Sequence, residues 1–302
     1  MNERTDGKLI NTERVNELTR NIDLLPTEDI VRLINRLDRE VPAKVGEQAG
    51  AIAKAVDLVV ARFSAGGRLV YVGAGTSGRI GFMDAAECPP TYGVPADLFT
   101  CVMAGGRPAV FTPSEGAEDD EAQAVEDLRE FGLSTQDAVM ALSSSGRTPY
   151  CIGALKYAAR IGAGRISLSC NPDAELSRLV EVAIEVDTGA EVISGSTRMK
   201  AGTCQKLVLN TISTAAMIRM GHVYGNLMID TRGVNAKLGG RVLRIFAEAT
   251  GNPDRARAEA LLRETGGDVK TAVVMELADM TLEQAREALE KSGGFVRGAL
   301  GQ

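Results

Sequence analysis

Short apolar runs alternate along the middle of the chain with longer stretches in which apolar residues recur every three or four positions. The runs RLVYVG (68–73), LFTCVM (98–103), AVMALS (138–143), RISLSC (165–170) and VAIEV (182–186) read as strands. The stretches between them are long enough for crossover helices, so the pattern predicts an α/β fold with a parallel five-stranded sheet flanked by helices. Ahead of the sheet, one helix is expected from about Thr27, taken as an N-cap before Glu28 and Asp29. A second is expected over 45–63, where Val45, Ala49, Ile52, Val56 and Val59 share a face, stopping at Gly66-Gly67. After Gly189 a long helix is expected to begin near a Ser/Thr cap and to end at Gly221, with a further helical stretch to about Ala249. Thr250-Gly251-Asn252-Pro253 is a breaker, and beyond it 254–265, 268–279 and 281–292 read as three short amphipathic helices, the last capped by Thr281. The expected organisation is an N-terminal helical segment (1–65), an α/β domain (66–250) and a three-helix bundle (251–302).

Composition narrows the chemistry. In 302 residues, 34 Lys and Arg stand against 40 Asp and Glu, a net charge of −6 with no basic block, which disfavours nucleic acid as a partner. The N-terminal residues are polar and mixed in charge, unlike a signal peptide, and no apolar run approaches the roughly 18 residues of a membrane span. Five scattered cysteines with no CxxC spacing indicate neither a disulfide framework nor a zinc site, and a cytoplasmic protein is expected. No metal site and no cofactor are expected. His222 is the only histidine, so acid–base work falls to carboxylates.

Ligands of a doubly wound sheet bind beyond the carboxyl ends of its strands, and two loops there carry chemistry. Gly73-Ala74-Gly75-Thr76-Ser77-Gly78 has the dinucleotide spacing, but LFTCVMAGG lacks the ribose-binding acid that reading wants. Ser143-Ser144-Ser145-Gly146-Arg147-Thr148-Pro149 supplies hydroxyls, backbone amides and a helix N-terminus, which together suit one phosphate. An ordinary helix cap needs fewer hydroxyls than this. Glu87 stands where the first crossover helix is expected to end, before Pro89-Pro90. Glu118 belongs to an acid cluster whose spacing by itself fits helix capping and dipole pairing better than chemistry, for every member alike. Arg198 and Lys200 either reach an anionic group or belong to the start of the long helix, and His222 reads as a dipole partner at that helix's end.

Taken together, GAGTSG, SSSGRTP and STRMKAGTCQK resemble the sugar isomerase (SIS) domain, a flavodoxin-like three-layer sandwich that binds phosphosugars. The longer motifs GAGTSGRIGFMDAAECPPTYG, EGAEDD, GAEVISGSTRMKAGTCQKLVLN and GNLMID resemble the N-acetylmuramic acid 6-phosphate etherases, with a more distant likeness to the glucokinase regulatory proteins. Ser143-Ser144 is a local departure, since smaller apolar residues are expected there in many relatives. The resemblance implies cleavage of a lactyl ether on a phosphorylated amino sugar, with Glu87 as general acid and Glu118 as base at C2. It implies that Ser143, Ser144, Ser145, Gly146 and Thr148 hold the phosphate and that Thr76 and Ser77 face the sugar. Arg198 and Lys200 are weaker candidates for the lactyl carboxylate. A homodimer with the site near the subunit boundary is also implied.

Overall fold

The computed structural model describes residues 4–5, 8–230 and 236–302. An antiparallel pair, β1 (Arg4–Thr5) and β2 (Lys8–Leu9), precedes three helices, α1 (Thr27–Asp38), α2 (Val41–Glu47) and α3 (Ala49–Ser64). The five apolar runs then pair as one parallel sheet of β3 (Leu69–Gly73), β4 (Phe99–Met103), β5 (Ala138–Ser143), β6 (Gly164–Ser169) and β7 (Val182–Glu185), in the order β4-β3-β5-β6-β7. α4 (Gly75–Tyr92) joins β3 to β4. A short turn α5 (Pro108–Phe111) and α6 (Glu121–Phe131) lead to β5, and α7 (Pro149–Ile161) leads to β6.

Every residue of β3 and β5 is buried, which is why these strands read as unbroken apolar runs rather than alternating ones. On one face Val70, Val72, Val139 and Ala141 pack with Leu128 of α6 and with Tyr150 and Leu155 of α7. Each large side chain so buried contributes about 1.5–3 kcal/mol. Phe63 of α3 meets Phe99 of β4 edge to face, with ring centroids 5.2 Å apart. At the amino end of the sheet, Asp137 accepts from the Arg68 backbone N–H at 2.9 Å and from its guanidinium at 2.8 and 3.1 Å, and also from the Ser134 N–H at 2.8 Å. Burial works against the charged carboxylate, but these donors outweigh it and hold Asp137 below the usual carboxylate range.

α8 (Lys200–Arg219) follows the sheet, then an antiparallel pair β8 (Val223–Tyr224) and β9 (Leu227–Met228), and then α9 (Ala236–Thr250), α10 (Arg255–Glu264), α11 (Val269–Ala278), α12 (Leu282–Lys291) and the short α13 (Val296–Ala299). The described residues form two units. One contains the sheet and runs to Ala86 and over Ala96–Ser213; the other comprises Glu87–Pro95 and Thr214–Gln302. The second unit has its own core, in which Ile229 and Phe246 pack with Val273 and Val274 of α11. The predicted cap is present there: Thr281 and Gln284 form a reciprocal capping box on α12. No described helix is long and apolar enough to cross a membrane.

Four local expectations are corrected. Thr27 is the first helical residue of α1, and no side chain caps that helix. The helix expected over 45–63 is two helices, because the chain leaves helical geometry at Gln48, between Gly46 and Gly50. The first crossover helix passes through Pro89 and Pro90 and ends at Tyr92. Both prolines fall near its last turn, where the bonds they remove are those to the Ala85 and Ala86 carbonyls, and Gly93 N–H resumes the ladder to Pro89 O at 2.9 Å. The stretch after Gly221 is a hairpin before it is a helix, since Gly225-Asn226 is a two-residue turn signal and Tyr224 pairs with Leu227 across it. The rest of that expected stretch crosses 231–235, outside the described residues, and the helix described beyond them is α9.

Candidate functional site

The strand order reverses direction between β3 and β5, and the loops leaving those two strands open onto one cavity of about 340 Å³. Ala74, Gly75, Thr76 and Ser77 reach it from the end of β3 and the first turn of α4. Ser143, Ser144, Ser145, Arg147 and Thr148 reach it from the loop after β5. Nine of the residues around this mouth therefore come from two motifs that lie next to each other only because β3 and β5 are neighbours.

The serine loop is organised around Ser143. Its Oγ accepts the Gly146 N–H at 3.0 Å and lies 2.8 Å from Thr148 Oγ1 and 3.2 Å from Ser145 Oγ. Thr148 occupies the N-cap position of α7, yet its side chain makes no capping bond. The hydroxyl that an ordinary cap would use is turned to Ser143 instead, and Pro149 at the first helical position has no N–H to satisfy. Gly146 has φ +73°, and a Cβ there would stand 2.4 Å from Ala174 Cβ, so the loop closes this tightly only with glycine.

Asn171, after β6, donates to Ser144 O at 2.8 Å and to Thr12 Oγ1 at 2.9 Å, while Thr12 N–H donates back to Asn171 Oδ1 at 3.2 Å. Thr12 is wholly buried by this exchange. It pins the N-terminal segment so that Ile10 and Glu13 line the same cavity, with Glu13 next to Gly195, which also lines it together with Thr197. No sequence signal places Ile10 and Glu13 there, because the tie spans 159 positions of chain.

Glu118 sits in a helical turn, Ala117–Asp119, and is half-buried. It lines the serine cavity and also a neighbouring one of about 260 Å³ whose other walls include Arg79, Met103 and Ala104. Burial, reinforced by the charge of Asp119, pushes the Glu118 carboxyl above the usual range. A carboxylate so placed is a stronger base than an exposed one.

The structure brings Thr76, Ser77, Ser143, Ser144, Ser145, Thr148 and Glu118 to one cavity, with Gly146 shaping its loop. The other candidates lie elsewhere. Arg198 is exposed next to the lining residue Thr197. Lys200 is buried and turned away: its Nζ donates to Thr188 O at 2.6 Å, and it lines a separate cavity with Asp187 and Gly189. Glu191 is the reason. Its buried carboxylate accepts the Lys200 and Ala201 N–H groups, each at 2.9 Å, and so caps α8 in place of the expected Ser/Thr. Burial pushes Glu191 up despite these two bonds. Glu87 is exposed on α4 and belongs to the second unit. His222, also in that unit, has its Nδ1 2.6 Å from Asp230 Oδ2, which Lys270 Nζ approaches at 2.7 Å. Cys101 and Cys151 are both pushed up to about 12 by burial, so they remain thiols of the core. Among the described residues no cluster of three or more His, Cys, Asp or Glu side chains is arranged to hold a metal.

An N-acetylmuramic acid 6-phosphate etherase of Geobacillus thermodenitrificans is 48% identical over 289 residues, covering 96% of this chain and 98% of that one. The chain belongs to the N-acetylmuramic acid 6-phosphate etherase family. An etherase of Rhizobium rhizogenes is 49% identical over 289 residues, 96% of this chain and 94% of its own. The family of the glucokinase regulatory protein N-terminal SIS domain matches residues 51–159, the part of this etherase-family chain that carries the first loop and the serine loop. Among solved structures, a phosphoheptose isomerase from Francisella tularensis superposes with a TM-score of 0.51 at 14% identity, over 64% of this chain and all of that one, which places the etherase-family sheet in the SIS fold.

Proposed function

We propose that this chain cleaves the D-lactyl ether of N-acetylmuramic acid 6-phosphate, giving N-acetylglucosamine 6-phosphate and D-lactate in cell-wall amino-sugar recycling. Membership of the etherase family at close to half identity over nearly the whole chain supports the reaction. The observation that carries the site is the serine loop, whose Thr148 leaves the start of α7 without a side-chain cap beside a cavity that Glu118 also lines. The phosphate belongs on Ser143, Ser144, Ser145, Gly146 and Thr148, with Thr76 and Ser77 facing the sugar and Arg147 in the wall adding a cation.

The reaction needs two proton transfers. Opening of the sugar ring places an aldehyde at C1 and acidifies the C2 hydrogen. Glu118 takes that proton, the C2–H electrons form a C2=C3 double bond, and the C3–O bond breaks as a carboxylic acid protonates the departing lactate oxygen. Water then adds at C3 and a proton returns to C2. Glu87 is the acid in this proposal on the strength of its motif, Ala86-Glu87-Cys88-Pro89-Pro90. Arg198 is the remaining candidate for the lactyl carboxylate, whereas Lys200 is engaged at Thr188. Two carboxylates in different surroundings suffice for both transfers, so the proposal includes activity without added metal and in the presence of a chelator. It also includes a homodimer with the site near the subunit boundary, to be checked by light scattering, where a fully active monomer would remove that element.

Incubation with N-acetylmuramic acid 6-phosphate in deuterated water, followed by NMR, tests the reading. D-lactate released together with deuterium at C2 is the expected result. Tight binding with neither would instead favour a sugar-phosphate sensor like the regulatory proteins whose SIS domain matches residues 51–159.

A further inference from the structure

Gln205 lies in the second turn of α8, is wholly buried, and is absent from the cavity lining. Its Nε2 donates to Ser77 Oγ at 2.9 Å and lies 3.4 Å from Ser144 Oγ. One amide thus spans the two loops that form the mouth at the strand-order reversal. Its Oε1 has no hydrogen-bond partner among the described residues. Turning the amide over would strand two N–H donors where one carbonyl is now unpaired, so the orientation with Nε2 toward the serines is the favoured one.

That orientation decides what Ser77 can do. A hydroxyl has one hydrogen, and an oxygen that accepts from a neighbouring N–H turns its own hydrogen elsewhere. Ser77 borders the cavity, and none of its described neighbours accepts that hydrogen. We infer that Gln205 is a positioning residue: it holds Ser77, and through the longer contact the Ser144 loop, as hydroxyl donors aimed at an anionic oxygen of a phosphosugar. The inference rests on the phosphosugar reading of the site. It adds a residue behind the cavity that sets the polarity of the hydroxyls in front of it. The unpaired Oε1 is the local cost, since a side chain chosen for packing alone would carry no buried orphan.

Gln205→Glu keeps the shape and reverses the sense of the bond, whereas Gln205→Met keeps the bulk and removes it. The probe is N-acetylglucosamine 6-phosphate, with Kd measured by calorimetry on the full chain between about pH 5.5 and pH 8. At the upper pH both variants should bind at least about 10-fold more weakly than the unsubstituted protein. As pH falls the Glu variant should regain affinity relative to the unsubstituted protein, because a protonated carboxyl donates again, while the Met variant should not. Loss without that recovery, or affinity unchanged in both variants, overturns the inference. Should the Glu variant fail to fold, a cycle with Ser77→Ala decides. Gln205→Met together with Ser77→Ala should be little worse than Ser77→Ala alone, since only the longer Ser144 contact is left to lose, and full additivity of the two losses would refute the coupling. An unsubstituted protein that does not bind the probe removes the phosphosugar reading itself. Binding that weakens in Thr148→Val but not in the Gln205 variants removes only the inference.

Discussion

Ser143 Oγ and Thr148 Oγ1 lie 2.8 Å apart across the start of α7 and share a single hydrogen bond. Two hydroxyls bring two hydrogens, and when Ser143 donates within the pair the Thr148 hydrogen is left for a ligand at the helix terminus. Replacing Thr148 by Val keeps the shape and removes that donor, and a hydrogen bond to a charged oxygen contributes about 1.5–3 kcal/mol. Thr148→Val should raise KM for the phosphosugar by roughly 10-fold or more while kcat changes little. Steady-state kinetics decide it, and an unchanged KM would move the phosphate away from this loop.

The pH profile should report Glu118. A base must be ionised, and burial and Asp119 hold this carboxyl above its ordinary range. The rate therefore falls as pH drops through that raised value, at higher pH than an exposed glutamate would give. Asp119 is exposed, so its contribution is screened and secondary to burial, and Asp119→Asn should move the acid limb of kcat/KM to lower pH. A limb that stays in place or moves upward would contradict the assignment of that limb to Glu118.

Much of the fold was legible because a parallel sheet covered on both faces must be written as unbroken apolar runs. Leu69–Gly73 and Ala138–Ser143 are such runs, and both form strands at the expected positions. The serine loop was legible for a related reason: Thr148 and its neighbouring serines supply more hydroxyls than a cap uses. Glu191 and Gln205 were not, because a buried polar residue in a helical or loop stretch looks like any surface one until its partners are known. Glu191 meets its partners nine and ten residues on, and Gln205 meets Ser77 across 128. Ile10 and Glu13 are held at the cavity by long-range ties, among them the Thr12–Asn171 exchange and the Ser194 hydroxyl on Glu13 O. Lys200 illustrates the converse, since its motif suggests an anion ligand while local chain geometry commits it to Thr188.

Acid stability should depend on Asp137. Its folded pKa is lowered, so its contribution is fully present above the unfolded value of about 3.9 and is lost as pH falls through the folded one. Asp137→Ala at neutral pH leaves the Arg68 guanidinium and the Ser134 N–H without their acceptor. The cost should be about 2–4 kcal/mol, below that of a fully buried pair because the Arg68 side chain is 25% exposed. Urea unfolding at neutral pH and again below about pH 3.5 tests this. The gap between the two proteins should narrow in acid, and a constant gap would mean that the charge of Asp137 is not what stabilises the amino end of the sheet.

The two carboxylates are best separated by watching two events in one experiment. Removal of the C2 proton is visible as deuterium exchange whether or not the ether breaks, whereas lactate appears only when the leaving oxygen is protonated. Glu118→Gln cannot accept the proton, so exchange and lactate release should both fall by roughly 100-fold or more. Glu87→Gln leaves the base in place, so lactate release should fall by a similar factor while exchange persists. The two variants must first show unchanged unfolding midpoints, since Glu118 is half-buried and its amide has to be accommodated in the same turn. If Glu87→Gln suppresses both signals equally, proton removal and departure of lactate are not separable at these residues, and the division of roles between Glu118 and Glu87 has to be abandoned.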